Sequence, residues 1–135
     1  MKRIFAKAAL VALAFAVPVS ASAQESLEGH WKNPKGSVTV KIAPCGGSWC
    51  GYVIQASEKA KQGAREGGTD NLIGTRILTG LRKTGDNTFR GQAFDPKRNI
   101  RAAAVVTVVS PTVLSVRGCK FAGLICREWR WTRAS

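Results

Sequence analysis

From about residue 29 onward, turn-forming residues interrupt the chain every eight to fourteen positions or so, a spacing that favours short strands over long helices. Ser37 to Ala43 shows the pattern at its clearest. Val38, Val40 and Ile42 fall on one face, Thr39 and Lys41 on the other. A period of two marks a half-buried strand. Further strands are expected around Gly29-His30-Trp31 and over Gly51 to Ala56, Leu72 to Lys83, Thr88 to Phe94, Ile100 to Val109, Val113 to Arg117 and Arg127 to Arg133. Asn33-Pro34-Lys35-Gly36, Thr84-Gly85-Asp86-Asn87, Asp95-Pro96-Lys97-Arg98-Asn99 and Ser110-Pro111-Thr112 supply turn chemistry between them. Ser57 to Asn71 is polar and glycine-rich. It reads as a mobile loop, with room for a turn of helix over Glu58 to Arg65. About eight strands in consecutive hairpins predict an all-β, antiparallel, up-and-down barrel, whose closure removes exposed sheet edges.

The first residues carry a different signal. Lys2, Arg3 and Lys7 precede an apolar run from Ala8 to Val17, Pro18 breaks it, and Ala21-Ser22-Ala23 forms a small-x-small exit. Together these predict a secretory signal peptide over 1–23, cleaved to leave a single domain over 24–135. The apolar run falls short of the roughly 20 residues needed to span a bilayer, and no later stretch reaches that length.

Charge narrows the partners. The chain has 21 Lys and Arg against 8 Asp and Glu, for a formal net charge of +13. Three of the cations lie in the leader, so the mature domain stays strongly basic, and such a field concentrates anions. In the periplasm these are anionic lipid, glycan or an acidic envelope protein. Nucleic acid is not expected, because an exported protein rarely meets it. A solvated basic surface without a dedicated partner is the plainer alternative. A monomer or weak dimer is expected.

Four cysteines, Cys45, Cys50, Cys119 and Cys126, follow the leader. An even number in an exported chain favours disulfides, and three connectivities are open. Local bridges Cys45–Cys50 and Cys119–Cys126 are favoured, because Cys45-Gly-Gly-Ser-Trp-Cys50 has the length of a tight hairpin. The C-x4-C and C-x6-C spacings do not fit common zinc sites and no histidine lies near them. No metal or cofactor is implied.

Catalytic groups are sparse. His30 is the single histidine, and no carboxylate is placed to orient it as a base. Asp70, Asp86 and Asp95 all sit in turn-like sequence. The motifs of nucleophile elbows, phosphate-binding loops and zinc proteases are absent. A hydrolase would have to use an unfamiliar set such as Asp95, Arg98 and Arg101.

Several segments in order resemble the bacterial envelope family known as domain of unknown function 2147. They are Gly29-x-Trp31, Ile42-Ala43-Pro44-Cys45 to Cys50-Gly51, Leu72-Ile73-Gly74-x-x-Ile77-Leu78-x-Gly80-Leu81, and Val116-Arg117-Gly118-Cys119 to Cys126-Arg127 with Trp131-Thr132-Arg133. The resemblance implies a small lipocalin-like β-barrel in the envelope and carries no reaction with it. This chain departs from the pattern at Arg98-Asn99-Ile100-Arg101, which lacks the usual glycine and tyrosine, and at Trp129, where a polar residue is usual. In lipocalins a Gly-x-Trp tryptophan on the first strand packs on an arginine near the end of the last. Trp31 and Arg133, with Trp131, are the corresponding candidates for barrel closure.

The last strand predicts two faces, with Arg127, Trp129, Trp131 and Arg133 on one and Glu128, Arg130 and Thr132 on the other. Lys120-Phe121-Ala122-Gly123-Leu124-Ile125 is apolar for a surface loop. A candidate ligand site therefore comprises Arg117, Lys120, Phe121, Leu124, Arg127, Trp129 and Arg130, suited to a lipid or other amphiphile with an anionic head. The plainer alternative has the loop's apolar side chains plug the barrel end. The favoured function is a non-enzymatic binding or accessory protein for an anionic or amphiphilic envelope component. The alternative is an interaction module that docks an acidic envelope protein.

Overall fold

Alternating residues become the outer wall and the filling of a barrel. The computed structural model describes residues 26–121 and 123–135; the expected signal peptide lies outside them. Eight strands follow in order: β1 (Gly29–Lys32), β2 (Val38–Pro44), β3 (Trp49–Ala56), β4 (Arg76–Gly85), β5 (Thr88–Asp95), β6 (Ile100–Ser110), β7 (Val113–Lys120) and β8 (Ile125–Arg133). One helix, α1 (Glu58–Glu66), joins β3 to β4. Every strand pairs antiparallel with its neighbour, and β1 meets β8 through Trp31 opposite Arg133 and Lys32 opposite Thr132, so the sheet closes. No helix among the described residues is long and apolar enough to cross a membrane.

Inward positions build one core from Trp31, Val40, Ile42, Leu78, Leu81, Phe89, Val106, Val108, Leu114, Val116 and Trp131, with Leu27 added from before β1. In β6 the alternation is plain. Ala104, Val106 and Val108 are buried while Ala103 and Val109 are exposed. β-branched residues suit such a pleated, half-buried surface.

The two ends of the barrel differ. At one end lie the short connections Cys45–Ser48, Asp86–Asn87 and Pro111–Thr112, with the start of β1 and the end of β8. At the other lie the β1–β2, β5–β6 and β7–β8 connections and the segment that holds α1. The first is the closed end of the barrel and the second its open end.

Three expectations change in detail. The stretch read as a mobile loop contains a nine-residue helix, capped by the Ser57 side chain, which accepts from the Ala60 amide. Its buried contact is Ala64, which packs with Val53 and Leu72, so no large apolar residue signalled it. β4 starts at Arg76 rather than Leu72, because Leu72 is spent in that small cluster beside the helix. β7 and β8 also extend through both cysteines: Cys119 and Cys126 are direct cross-strand partners, not a loop beyond the sheet. Both local disulfides are present, with Cα separations of 5.8 Å for Cys45–Cys50 and 4.1 Å for Cys119–Cys126. Cys45 is not opposite Cys50, which pairs with Ala43; the first bridge is diagonal, across a turn in which the Cys45 amide donates to the Ser48 carbonyl.

Candidate functional site

The closed end is built around one guanidinium. Trp31 is fully buried, and its indole N–H donates to the Leu27 carbonyl at 3.0 Å. Arg133 lies over its ring, 4.2 Å from the centre. The same guanidinium donates to three carbonyls: Pro111 through Nε at 2.7 Å, Glu28 through Nη1 at 3.0 Å and Ser26 through Nη2 at 2.6 Å. It thereby ties the chain before β1 to the β6–β7 turn. Gly29 permits this approach, because its φ is +141° and a Cβ there would collide with Arg133 Nη1. Beyond β8, the Ala134 and Ser135 backbone continues to pair with His30, whose Nδ1 lies 2.8 Å from Ser135 Oγ. Trp131 fills the barrel beside Leu114, its cross-strand partner.

Toward the open end the inner wall becomes small. Alternation carries the inward face of β7 from Leu114 and Val116 to Gly118, and that of β6 from Val106 and Ala104 to Ala102. Opposite them on β8 stand Trp129, paired with Val116, and Arg127, paired with Gly118. A Cβ built on Gly118 would lie 3.8 Å from Trp129 Cζ3 and 4.0 Å from the Ala102 Cβ. Three adjacent strands thus contribute Gly118, Ala102 and Trp129 to one patch. Ala104 is buried below it, whereas Ala102 and Gly118 are half-buried and Trp129 is 38% exposed. Large side chains fill the closed end; at the open end solvent reaches the inner wall beside an aromatic ring and an arginine.

The outer wall holds a separate set. Arg82 pairs with Arg90, Arg90 with Val105, Val105 with Arg117 and Arg117 with Glu128, one register row across five strands. All three arginines are exposed. Arg130 is one step nearer the closed end on the same face, opposite Ser115, whose hydroxyl donates to Glu128 at 2.8 Å. The seven expected ligand residues therefore divide. Arg127 and Trp129 meet on the inner wall with Lys120 on the same face of β7; Arg117 and Arg130 lie outside; Phe121 and Leu124 occupy the β7–β8 tip. Sequence reasoning missed Arg82 and Arg90 as a pair and Gly118 and Ala102 as a wall. The Gly85-Asp86-Asn87 turn, which sets the β4–β5 register, was the available signal for the first.

Asp95, Arg98 and Arg101 serve local structure. One Asp95 carboxylate oxygen accepts from the Lys97 and Arg98 amides at 3.0 and 3.3 Å, and the other pairs with the Arg98 guanidinium at 3.2 Å. This is the turn-capping role typical of aspartate. Arg101 stacks on its cross-strand partner Phe94 at 4.7 Å.

The closed eight-stranded meander with a tryptophan–arginine seal defines a lipocalin-like barrel. The structure matches that of protein HP1028 from the human pathogen Helicobacter pylori, described as belonging to the lipocalin family, with TM-score 0.65 and 18% identity over 82% of this chain and 84% of that one. The chain belongs to the family described as "Uncharacterized protein conserved in bacteria (DUF2147)", whose model matches residues 29–133. No curated protein matches it significantly.

Proposed function

We propose that this protein is an exported, periplasmic, non-enzymatic carrier or accessory protein that holds one amphiphile with an anionic head at the open end of its barrel. The observation that carries the reading is the inner wall of β6, β7 and β8. Gly118 and Ala102 present only small atoms to the Trp129 ring, and Arg127 follows on the same face. An eight-stranded barrel is about wide enough to hold one small ligand. Here the apolar tail would lie along the small residues and Trp129, with the head against Arg127 and Lys120. Membership of a family conserved in bacteria, together with two disulfides, supports a site of action outside the cytoplasm. A non-enzymatic role is supported by Asp95, whose two oxygens are committed to its own turn.

Titration with dodecyl phosphate below its micelle concentration, read by tryptophan fluorescence, tests the proposal. Saturable binding of one molecule per chain, weakened in Trp129→Ala and in Arg127→Gln, is the expected result. Equal response to a zwitterionic analogue, or none to either, would remove it.

A second reading rests on a different observation. Arg82 and Arg90 stand directly opposite each other on the outer wall, a like-charge pairing that disfavours the sheet. An acidic envelope protein docked on Arg82, Arg90, Arg117 and Arg130 would relieve it. Pull-down of one stoichiometric acidic partner, lost in Arg90→Gln, would favour this reading over the carrier.

A further inference from the structure

We infer that the open end docks on an anionic membrane surface, with the tip of the β7–β8 hairpin as its apolar anchor. Two independent features coincide there. The first is exposure. Leu124 is 85%, Phe121 70% and Ile125 55% exposed, the three most exposed of the large apolar side chains among the described residues. They are held out by a defined turn, in which the Leu124 amide donates to the Phe121 carbonyl at 3.1 Å, and Cys119–Cys126 clamps its base. A clamped tip loses little further conformational freedom when it enters another phase.

The second is the distribution of charge. The closed-end connections Cys45–Ser48, Asp86–Asn87 and Pro111–Thr112 contain a single charged residue, Asp86. The open end carries Lys32 and Lys35 at the β1–β2 turn, Lys97 and Arg98 at the β5–β6 turn, and Lys120 and Arg127 on either side of the apolar tip. Asp95 offsets Arg98. The segment over α1 is balanced, with Lys59, Lys61 and Arg65 against Glu58, Glu66 and Asp70. Among the connections the positive charge thus lies at the end from which the apolar tip projects, through Lys35, Lys97 and Arg98. The strand ends add cations at both ends, Lys32, Lys120 and Arg127 at the open one and Lys83 and Arg133 at the closed one. An apolar anchor within a collar of cations matches an interface of acyl chains beneath anionic headgroups. An acidic protein surface matches the cations but leaves Leu124 and Phe121 without an apolar counterpart.

The inference shares Lys120 and Arg127 with the carrier site, adds the apolar tip and the β1–β2 and β5–β6 turns to them, and supplies that site with a route. The mouth that holds Trp129 and Arg127 would face the bilayer from which an amphiphile enters.

Flotation of the purified, disulfide-bonded protein with phosphatidylcholine vesicles, with and without phosphatidylglycerol, tests it. Binding only to the anionic vesicles is expected, declining as salt screens the headgroups. Phe121→Ser and Leu124→Ser should each weaken it by roughly tenfold, the scale of losing one partly inserted apolar side chain. Lys120→Gln and Arg127→Gln should each weaken it by about fivefold. Arg90→Gln, on the outer wall, should leave it nearly unchanged. Quenching of tryptophan fluorescence by bromine-labelled lipid needs no tip variant: wild type should be quenched, and Trp129→Phe should lose most of that effect.

No binding to anionic vesicles, or binding lost in Arg90→Gln but kept in the two tip variants, overturns the inference. A dimer that dissociates in the tip variants, from a protein that ignores vesicles, also overturns it and assigns the tip to a second copy. A chain that binds dodecyl phosphate but no vesicle retires the docking alone. The reverse result retires the carrier reading alone.

Discussion

Gly118 lies directly beneath Trp129, close enough that a Cβ on the glycine would stand 3.8 Å from the indole. Position 118 puts no side chain between the backbone and the ring. A leucine there would project between the ring and Ala102. The site is half-buried and open to solvent, so the backbone need not shift to accommodate the change. Gly118→Leu is therefore expected to change stability by less than about 1 kcal/mol, as for a site outside the packed core. It should also weaken dodecyl phosphate binding by at least about tenfold, the equivalent of 1.4 kcal/mol of lost contact. Fluorescence titration beside thermal unfolding separates the two effects. Unchanged affinity would show that the ligand lies elsewhere.

Arg133 offers the reverse test, of stability rather than binding. Its guanidinium stacks on Trp31 and donates to Ser26, Glu28 and Pro111. Arg133→Ala leaves those carbonyls to water and removes the stack. Partial exposure limits the loss to about 3 kcal/mol, summed over charged hydrogen bonds and a cation–π contact. For a domain of this size the melting temperature should fall by on the order of 10 °C. Arg133→Lys should recover little, since an ammonium cannot lie flat on the indole and fork to three acceptors. Circular dichroism melts of the three proteins check this, and a lysine variant as stable as wild type would contradict it.

How much of this was legible in the sequence depended on distance along the chain. The Val38–Val40–Ile42 alternation, the long β-branched run of β6 and the two cysteine pairs are local signals, and the barrel carries them with one change: Thr39, expected on the face opposite Val40, is buried beside a register shift between Thr39 and Val40. The faces of β8 were likewise legible, with Trp131 inside and Arg130 outside. The register between strands was not. Arg117 and Arg127 look alike as basic residues flanking one hairpin. Yet Arg117 is opposite Glu128 on the outer face, and Arg127 is opposite Gly118 on the inner one. Only the pairing set by the β7–β8 turn separates them. Helix α1 was faint for another reason: Ala60 and Ala64 bury little area, and its periodicity rests on methyl groups.

The row Arg82–Arg90–Val105–Arg117 brings the register into a measurable quantity. Arg82 and Arg90 face each other with no acid between them; the Arg82 guanidinium reaches only the Gly47 carbonyl, at 3.5 Å. Like charges directly opposite disfavour an antiparallel pair, and opposite charges favour it by about 0.2–1 kcal/mol. Arg90→Glu converts one into the other and should raise stability by roughly 1 kcal/mol at low ionic strength, within that range once the repulsion is removed as well. Both residues are exposed, so the gain should shrink as salt shortens the screening length. Arg82→Glu in the same background restores a like pair of the other sign and should cancel the gain. Denaturant melts of the two single variants, the double variant and wild type, at low and high salt, form a complete cycle. A coupling energy indistinguishable from zero at low salt would mean that the two side chains splay apart in solution, and the case for a partner that relieves their repulsion would lose its physical basis.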